Sequence, residues 1–143
     1  MNPIGQTSKF KVQNSDKLQV SSPKMQPFDL EERMSKFGED IVIFCRGLRV
    51  DHVSRPIVTQ LVRSATSIGA NYAEANNASS KKDFRNKVHI VKKEVQETKH
   101  WLRMLKPCYP EHDEQIMTFW QEAHEFTLIL QTIVNKISQK VEV

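Results

Sequence analysis

Residues 84–105 read FRNKVHIVKKEVQETKHWLRML, with Phe84, Val88, Val91, Val95, Thr98, Leu102 and Leu105 at intervals that alternate four and three. That spacing puts all of them on one face of a helix and leaves the polar residues on the other. The same pattern occurs three more times. It runs through Leu30, Met34, Phe37, Ile41, Phe44 and Leu48, and through Val58, Leu61, Ala65, Ile68, Tyr72 and Ala75. It returns in Ile116, Phe119, Ala123, Phe126, Leu130, Ile133 and Ile137. Four amphipathic helices, each with a face to bury, predict an all-α protein. The links between them are short, so each helix should return alongside the one before it, giving an antiparallel up-down-up-down four-helix bundle.

The helix ends are marked in the sequence. Asp29 is placed to cap a first helix over about residues 29–50, and Glu31 and Glu32 suit its positive end. Pro56 is tolerated in the first turn of a second helix reaching about Asn76. Ser80 and Asp83 have the spacing of a capping box for the third, which Pro107 and Pro110 close near Lys106. The fourth starts near Glu111 and ends near Gln139. Residues 1–27 form a polar tail rich in Ser, Gln, Asn and Pro, with charge +3 from four Lys and one Asp. It lacks the apolar content to offset the entropy of ordering and is expected to be flexible, leaving residues 28–143 as the bundle.

Composition narrows the function classes. The chain has 143 residues, 38% of them hydrophobic, and a net charge of +4. It contains no apolar run long enough to cross a membrane, and Met1–Ser22 has no apolar segment like that of a signal peptide. Cys45 and Cys108 have neither metal-ligand spacing nor a pairing pattern, so a cytoplasmic protein with free thiols is expected. Glycine loops for phosphate, zinc-ligand clusters and nucleophile motifs are missing, which points away from an enzyme and from any cofactor. Glu97 and His100 have the E-x-x-H spacing of di-iron bundles, but those need a second such motif, and His124 follows Gln121 rather than a glutamate. No metal site is expected.

The second helix is unusually rich in small residues, with Ser64, Ala65, Ser67, Gly69, Ala70, Ala73 and Ala75. A glycine inside a helix costs about 1 kcal/mol relative to alanine. Close packing against the third helix or against another subunit would compensate. In the same region the run from Gln60 to Ala75, QLVRSATSIGANYAEA, resembles the signature of the four-helix-bundle family of 23S rRNA intervening-sequence proteins. So do Lys82-Asp83-Phe84, Lys93-Glu94 and the stretch Glu97 to Leu102, where His100 stands in place of an expected Tyr. The resemblance spans roughly residues 28–138 and implies a homopentamer. Such proteins are similar to the accessory variability determinant of diversity-generating retroelements, a basic homopentamer that binds nucleic acid and a reverse transcriptase. RNA or DNA, a reverse transcriptase and further copies of the chain are therefore the partners that the resemblance implies.

Two polar constellations stand out. Over residues 80–106 there are nine Lys or Arg against Asp83, Glu94 and Glu97, a net +6. Arg85, Lys92, Lys99 and Lys106 recur every seven residues beside the apolar seam, with Lys81, Lys82, Lys93 and Arg103 nearby. At 1.5 Å per residue this stripe is roughly 30 Å long, enough to follow several phosphates. The competing reading has these lysines covering the seam with their stems and pairing with Glu122, Glu125 and other acids of the fourth helix. The second constellation is Arg63, Ser64, Asn71, Glu74, Glu94 and Glu97, expected to form a structural hydrogen-bond network, with a ligand site as the alternative. Ile57, Val62, Trp101, Trp120, Ile129 and Val134 lie outside the seams and widen the apolar faces, which predicts an oligomer. The sequence thus reads as a non-enzymatic homo-oligomeric protein that contacts nucleic acid through its third helix. The alternative is an adaptor that binds a protein partner only.

Overall fold

The computed structural model describes residues 27–141, and every regular element in that span is helical. Helix α1 is Pro27–Arg46, α2 Ser54–Asn76, α3 Lys81–Leu105 and α4 Asp113–Val141. Two single 3-10 turns, Lys106–Cys108 and Pro110–His112, join α3 to α4. No helix among the described residues is long and apolar enough to cross a membrane. The expected tail, apart from Pro27, falls outside the described residues.

Each helix boundary has a local cause. Pro27 and Asp29 lie inside α1, so Asp29 belongs to the first turn rather than to the cap. The helix ends four residues before Val50, where Gly47 and Leu48 donate to the Phe44 and Cys45 carbonyls at 3.1 and 3.2 Å and tighten the chain into a turn. Before α2, the Asp51 carboxylate accepts the backbone N–H groups of Val53 and Ser54, both at 2.9 Å, and the Ser54 hydroxyl accepts the Asp51 N–H at 3.0 Å. These N–H donors hold the Asp51 carboxyl below the ordinary aspartate value. Ser80 caps α3 by accepting the Asp83 N–H at 3.0 Å. The short arm of Asp83 returns to the Ser79 N–H at 3.1 Å, one residue earlier than in the glutamate form of the box. Pro107 has no N–H to continue the α3 ladder, and the chain leaves through the 3-10 turns. There the buried Tyr109 places its hydroxyl 2.9 Å from both the Arg49 carbonyl and the Ser54 hydroxyl, joining the two links.

The four seams meet in one core. Met34, Ile41, Leu61, Ile68, Val88, Val91, Val95, Leu102, Leu105, Ile116, Phe126 and Leu130 are fully buried. Phe37 meets the Phe126 ring edge-on at 5.4 Å, and Phe44 meets Phe119 at the same separation, which fastens α1 to α4. Arg33 lies 5.2 Å over the Phe126 ring and pairs with both Glu122 and Glu125. α1 also packs on α2 through two glycines. A Cβ on Gly38 would meet the Ala65 carbonyl at 3.3 Å, and one on Gly69 would meet the Ser35 hydroxyl at 2.9 Å. The close neighbour of Gly69 is thus α1, which was not among the expected partners, the third helix or another subunit, while Ser64 of the same helix packs against Thr98 of α3.

The far end of α4 departs from the expected seam. Val134 is buried, whereas Ile133 and Ile137 are half-exposed. Ile116 and Val134 are separated by 18 residues, five turns at 3.6 residues per turn. A strict seven-residue repeat drifts off the face of a straight helix over that distance, and the core moves to the next residue.

Candidate nucleic-acid interface

The basic residues of α3 divide into two groups. Arg85, Lys92, Lys99 and Lys106 are half-buried, and three of them reach into the groove against α4. Lys92 donates to the Gln131 side-chain oxygen. Lys99 sits 3.0 Å from His124 Nδ1 and 4.7 Å over the Trp120 ring, and burial lowers its pKa from the ordinary lysine value. Lys106 pairs with Asp113 at 3.2 Å and reaches Met117 Sδ at 3.4 Å. The heptad-spaced stripe therefore seals the α3/α4 seam. Lys106 finds one of the expected acids of the fourth helix, Asp113, whereas Glu122 and Glu125 are held by Arg33 of α1 and leave Lys92 and Lys99 to uncharged partners.

The exposed cations are Lys81, Lys82, Lys93 and Arg103. Three of these belong to a row that the sequence reading overlooked. Lys82, Asn86, His89, Lys93, Gln96, His100 and Arg103 follow one another at intervals of four and three, offset by two residues from the apolar seam. All seven are exposed and none is acidic. The three acids of α3 lie on its flanks, Asp83 with one cation and Glu94 and Glu97 sharing another. Asp83 pairs with Lys87 at 3.1 Å, and the N–H of Ser79 with the Lys87 ammonium holds its carboxyl below the ordinary value. Glu94 and Glu97 both pair with Arg63, the former at 3.4 Å. The outer row is thus a strip of positive and hydrogen-bonding side chains about 30 Å long. Its signal in the sequence was the same alternating interval that marks the core, read on the opposite face.

The second constellation comes together only in part. Arg63 joins Glu94 and Glu97 across the α2/α3 groove. Ser64 does not enter that cluster. It is fully buried, with its hydroxyl 2.9 Å from that of Thr98, itself buried. Asn71 donates to the Ser67 carbonyl at 2.8 Å within its own helix. Glu74 is exposed, three turns from Arg63, with no ion pair among the described residues, so the expected convergence does not extend to it. Beside Arg63 lies an open cleft of about 590 Å³ lined by Gln60, Arg63, Gln96, Glu97, His100 and Trp101. Among the described residues, no group of three or more His, Cys, Asp or Glu is arranged to hold a metal.

The large exposed apolar residues also differ from those expected. They are Ile43, Val53, Ile90 and Leu128, between 48% and 67% exposed. Of the residues expected to widen the faces, Ile57, Val62, Trp101, Trp120 and Ile129 are half-buried and Val134 belongs to the core. Ile43 flanks a second groove, about 650 Å³, between α1 and α2, with Ser35, Gly38, Val42, Thr66, Gly69, Ala70 and Ala73 along it.

Comparison with known proteins agrees with this architecture. The solved structure of a protein of unknown function from the S23 ribosomal protein family of Bacteroides thetaiotaomicron is similar, with a TM-score of 0.66 and 33% identity. The match covers 73% of this chain and 96% of that one. No curated protein matches. The family model described as 23S rRNA-intervening sequence protein matches residues 29–132, and the chain belongs to that family.

Proposed function

We propose that this is a non-enzymatic, homo-oligomeric cytoplasmic protein that binds RNA or DNA through the outer row of α3, without strong sequence specificity. The observation that carries the reading is the separation of charge on α3. Asp83 is paired with Lys87, and Glu94 and Glu97 share Arg63 on the flank, which leaves Lys82, Lys93 and Arg103 without an ion pair among the described residues on the exposed face. Lys81 extends this face at its start, and Arg85, Lys92, Lys99 and Lys106 add positive potential from the margin. The row offers point charges rather than a set of groups shaped to one base sequence, which favours backbone contact.

The helices run antiparallel in this reading. Glu31, Ser35 and Gly38 of α1 meet Asn76, Gly69 and Ala65 of α2 in falling order, as Lys92, Lys99 and Lys106 meet Gln131, His124 and Asp113. The groove beside Ile43 is the surface on which copies join, and the family resemblance points to five. Light scattering should give a mass several times 16.6 kDa. A monomer at micromolar concentration would refute the assembly.

Binding is tested by fluorescence anisotropy on labelled oligonucleotides across a salt series. For three phosphates neutralised per subunit, affinity should fall about 40-fold between 50 and 200 mM salt, from a slope near −0.9 per phosphate on duplex DNA. Salt-insensitive binding, or none at low salt, would refute the reading. A second reading draws on the occupied groove lysines. With Lys92, Lys99 and Lys106 already partnered within the chain, the protein would serve as an adaptor for a protein such as a reverse transcriptase.

A further inference from the structure

The cleft between α2 and α3 adds a feature that a charged strip alone does not need. It opens directly beside the outer row, sharing Gln96 and His100 with it, and Trp101 lines its wall. Trp101 is half-exposed, and its ring neighbour among the described residues is His100, which meets it edge-on at 4.9 Å and 73°. The chain's other tryptophan is differently placed. Trp120 is stacked on His124 at 5.2 Å and 11°, with Lys99 4.7 Å over its ring. Trp120 is thus built into the α3/α4 seam, while Trp101 borders open space.

We infer that the ligand of this surface is single-stranded nucleic acid, with an unpaired base stacked on Trp101 in the cleft while the backbone follows Lys93 and Arg103. The inference rests on the nucleic-acid reading above and narrows it to one class of strand. The side-chain amides of Gln60 and Gln96 at the cleft supply donors and acceptors that suit any base edge. The one carboxylate lining the cleft, Glu97, is ion-paired with Arg63, a guanidinium it shares with Glu94, so it does not face the strand bare. A duplex keeps its bases stacked inside and presents only phosphates to the row. A single strand gains the stacking contact in addition, and aromatic stacking of this kind is tolerant of sequence.

The test uses the full chain with Trp120→Phe, which leaves Trp101 as its only tryptophan. The probes are a 20-mer of thymidylate as DNA, a 20-mer of uridylate as RNA, and a duplex of the same length. Binding is read by anisotropy, and stacking by quenching of Trp101 emission. Both single strands and the duplex should bind at low salt. Only a single strand should quench. Trp101→Ala should weaken single-strand binding about tenfold and leave duplex binding unchanged. Trp101→Phe should recover most of the loss, which separates stacking from damage to the fold. Single-strand binding without quenching, or wild-type affinity in Trp101→Ala, would overturn the inference and leave the backbone reading standing. Absence of binding to every probe at low salt would overturn both.

Discussion

A Cβ on Gly69 would lie 2.9 Å from the Ser35 hydroxyl and 3.1 Å from both the Ser35 Cα and its backbone nitrogen. The hydroxyl can swing away, but the α1 backbone cannot without moving the helix. This contact explains a glycine in the middle of α2, where helix propensity opposes it by about 1 kcal/mol. Gly69→Ala should therefore destabilise the protein in spite of the better helix former. Overpacking of about 1–3 kcal/mol opposes that gain, and Gly69→Leu should be worse. Urea unfolding measures both, and an unchanged or raised midpoint for Gly69→Ala would show that α1 yields.

The Ser64–Thr98 pair should behave as a coupled unit. Both hydroxyls are buried, 2.9 Å apart, and each also approaches a carbonyl of its own helix, Leu61 for Ser64 and Glu94 for Thr98. Ser64→Ala and Thr98→Val should each cost about 1 kcal/mol, and the double variant less than their sum, because no hydroxyl is then left facing an apolar partner. A double-mutant cycle measures the coupling, expected at about 0.5–1.5 kcal/mol. Strict additivity would mean that each hydroxyl is satisfied within its own helix.

The two thiols should differ in reactivity. Cys45 is buried, and desolvation pushes its thiol up to about 11, so almost none of it is thiolate at pH 8. Cys108 is half-exposed in the 3-10 link. A chromogenic disulfide reagent at pH 8 should titrate one thiol quickly in the native protein and the second only after denaturation. Two fast thiols would place Cys45 in contact with solvent.

Asp51 gives the start of α2 a defined pH dependence. Its folded pKa is lowered, first by the Ser54 and then by the Val53 N–H, so the carboxylate contributes stability that is fully present above the unfolded aspartate value. That contribution is lost as pH falls through the lower folded value. Asp51→Asn should lower the melting temperature at pH 7 and match the wild type once both are well below that value. A difference that persists at low pH would assign the effect to packing.

Much of this architecture was legible because burial imposes a period on the sequence. The four seams were readable, and the Ser80–Asp83 cap was readable from spacing alone. Three features were not. The move from Ile133 to Val134 comes from drift that accumulates only over the length of α4. The partner of Gly69 is set by which helix lies beside it, and a small residue does not name its neighbour. The roles of the α3 cations depend on their angle around one helix, where a single residue is a step of about 100°. Lys92 and Lys93 are adjacent in sequence, yet one bonds Gln131 across the groove and the other is exposed.

That last difference gives the sharpest test of the interface. Lys92→Ala with Lys99→Ala should reduce stability, because Lys99 loses its contact over Trp120 and Lys92 its bond to Gln131. A cation–π contact at a partly exposed site is worth about 0.5–1 kcal/mol, and the lost lysine stems uncover apolar seam as well. Nucleic-acid affinity should fall only slightly. Lys93→Glu with Arg103→Glu should do the reverse. Among the described residues neither side chain has a partner across a groove, so stability should hold within about 0.5 kcal/mol, as for surface substitutions generally. Binding should disappear, because two of the three cations of the outer row become acids. Circular dichroism melts and anisotropy titrations on the two double variants decide the matter. If the groove pair controls binding and the outer pair does not, phosphates enter the α3/α4 groove by displacing Gln131 and His124, and the outer row is only a solvated face.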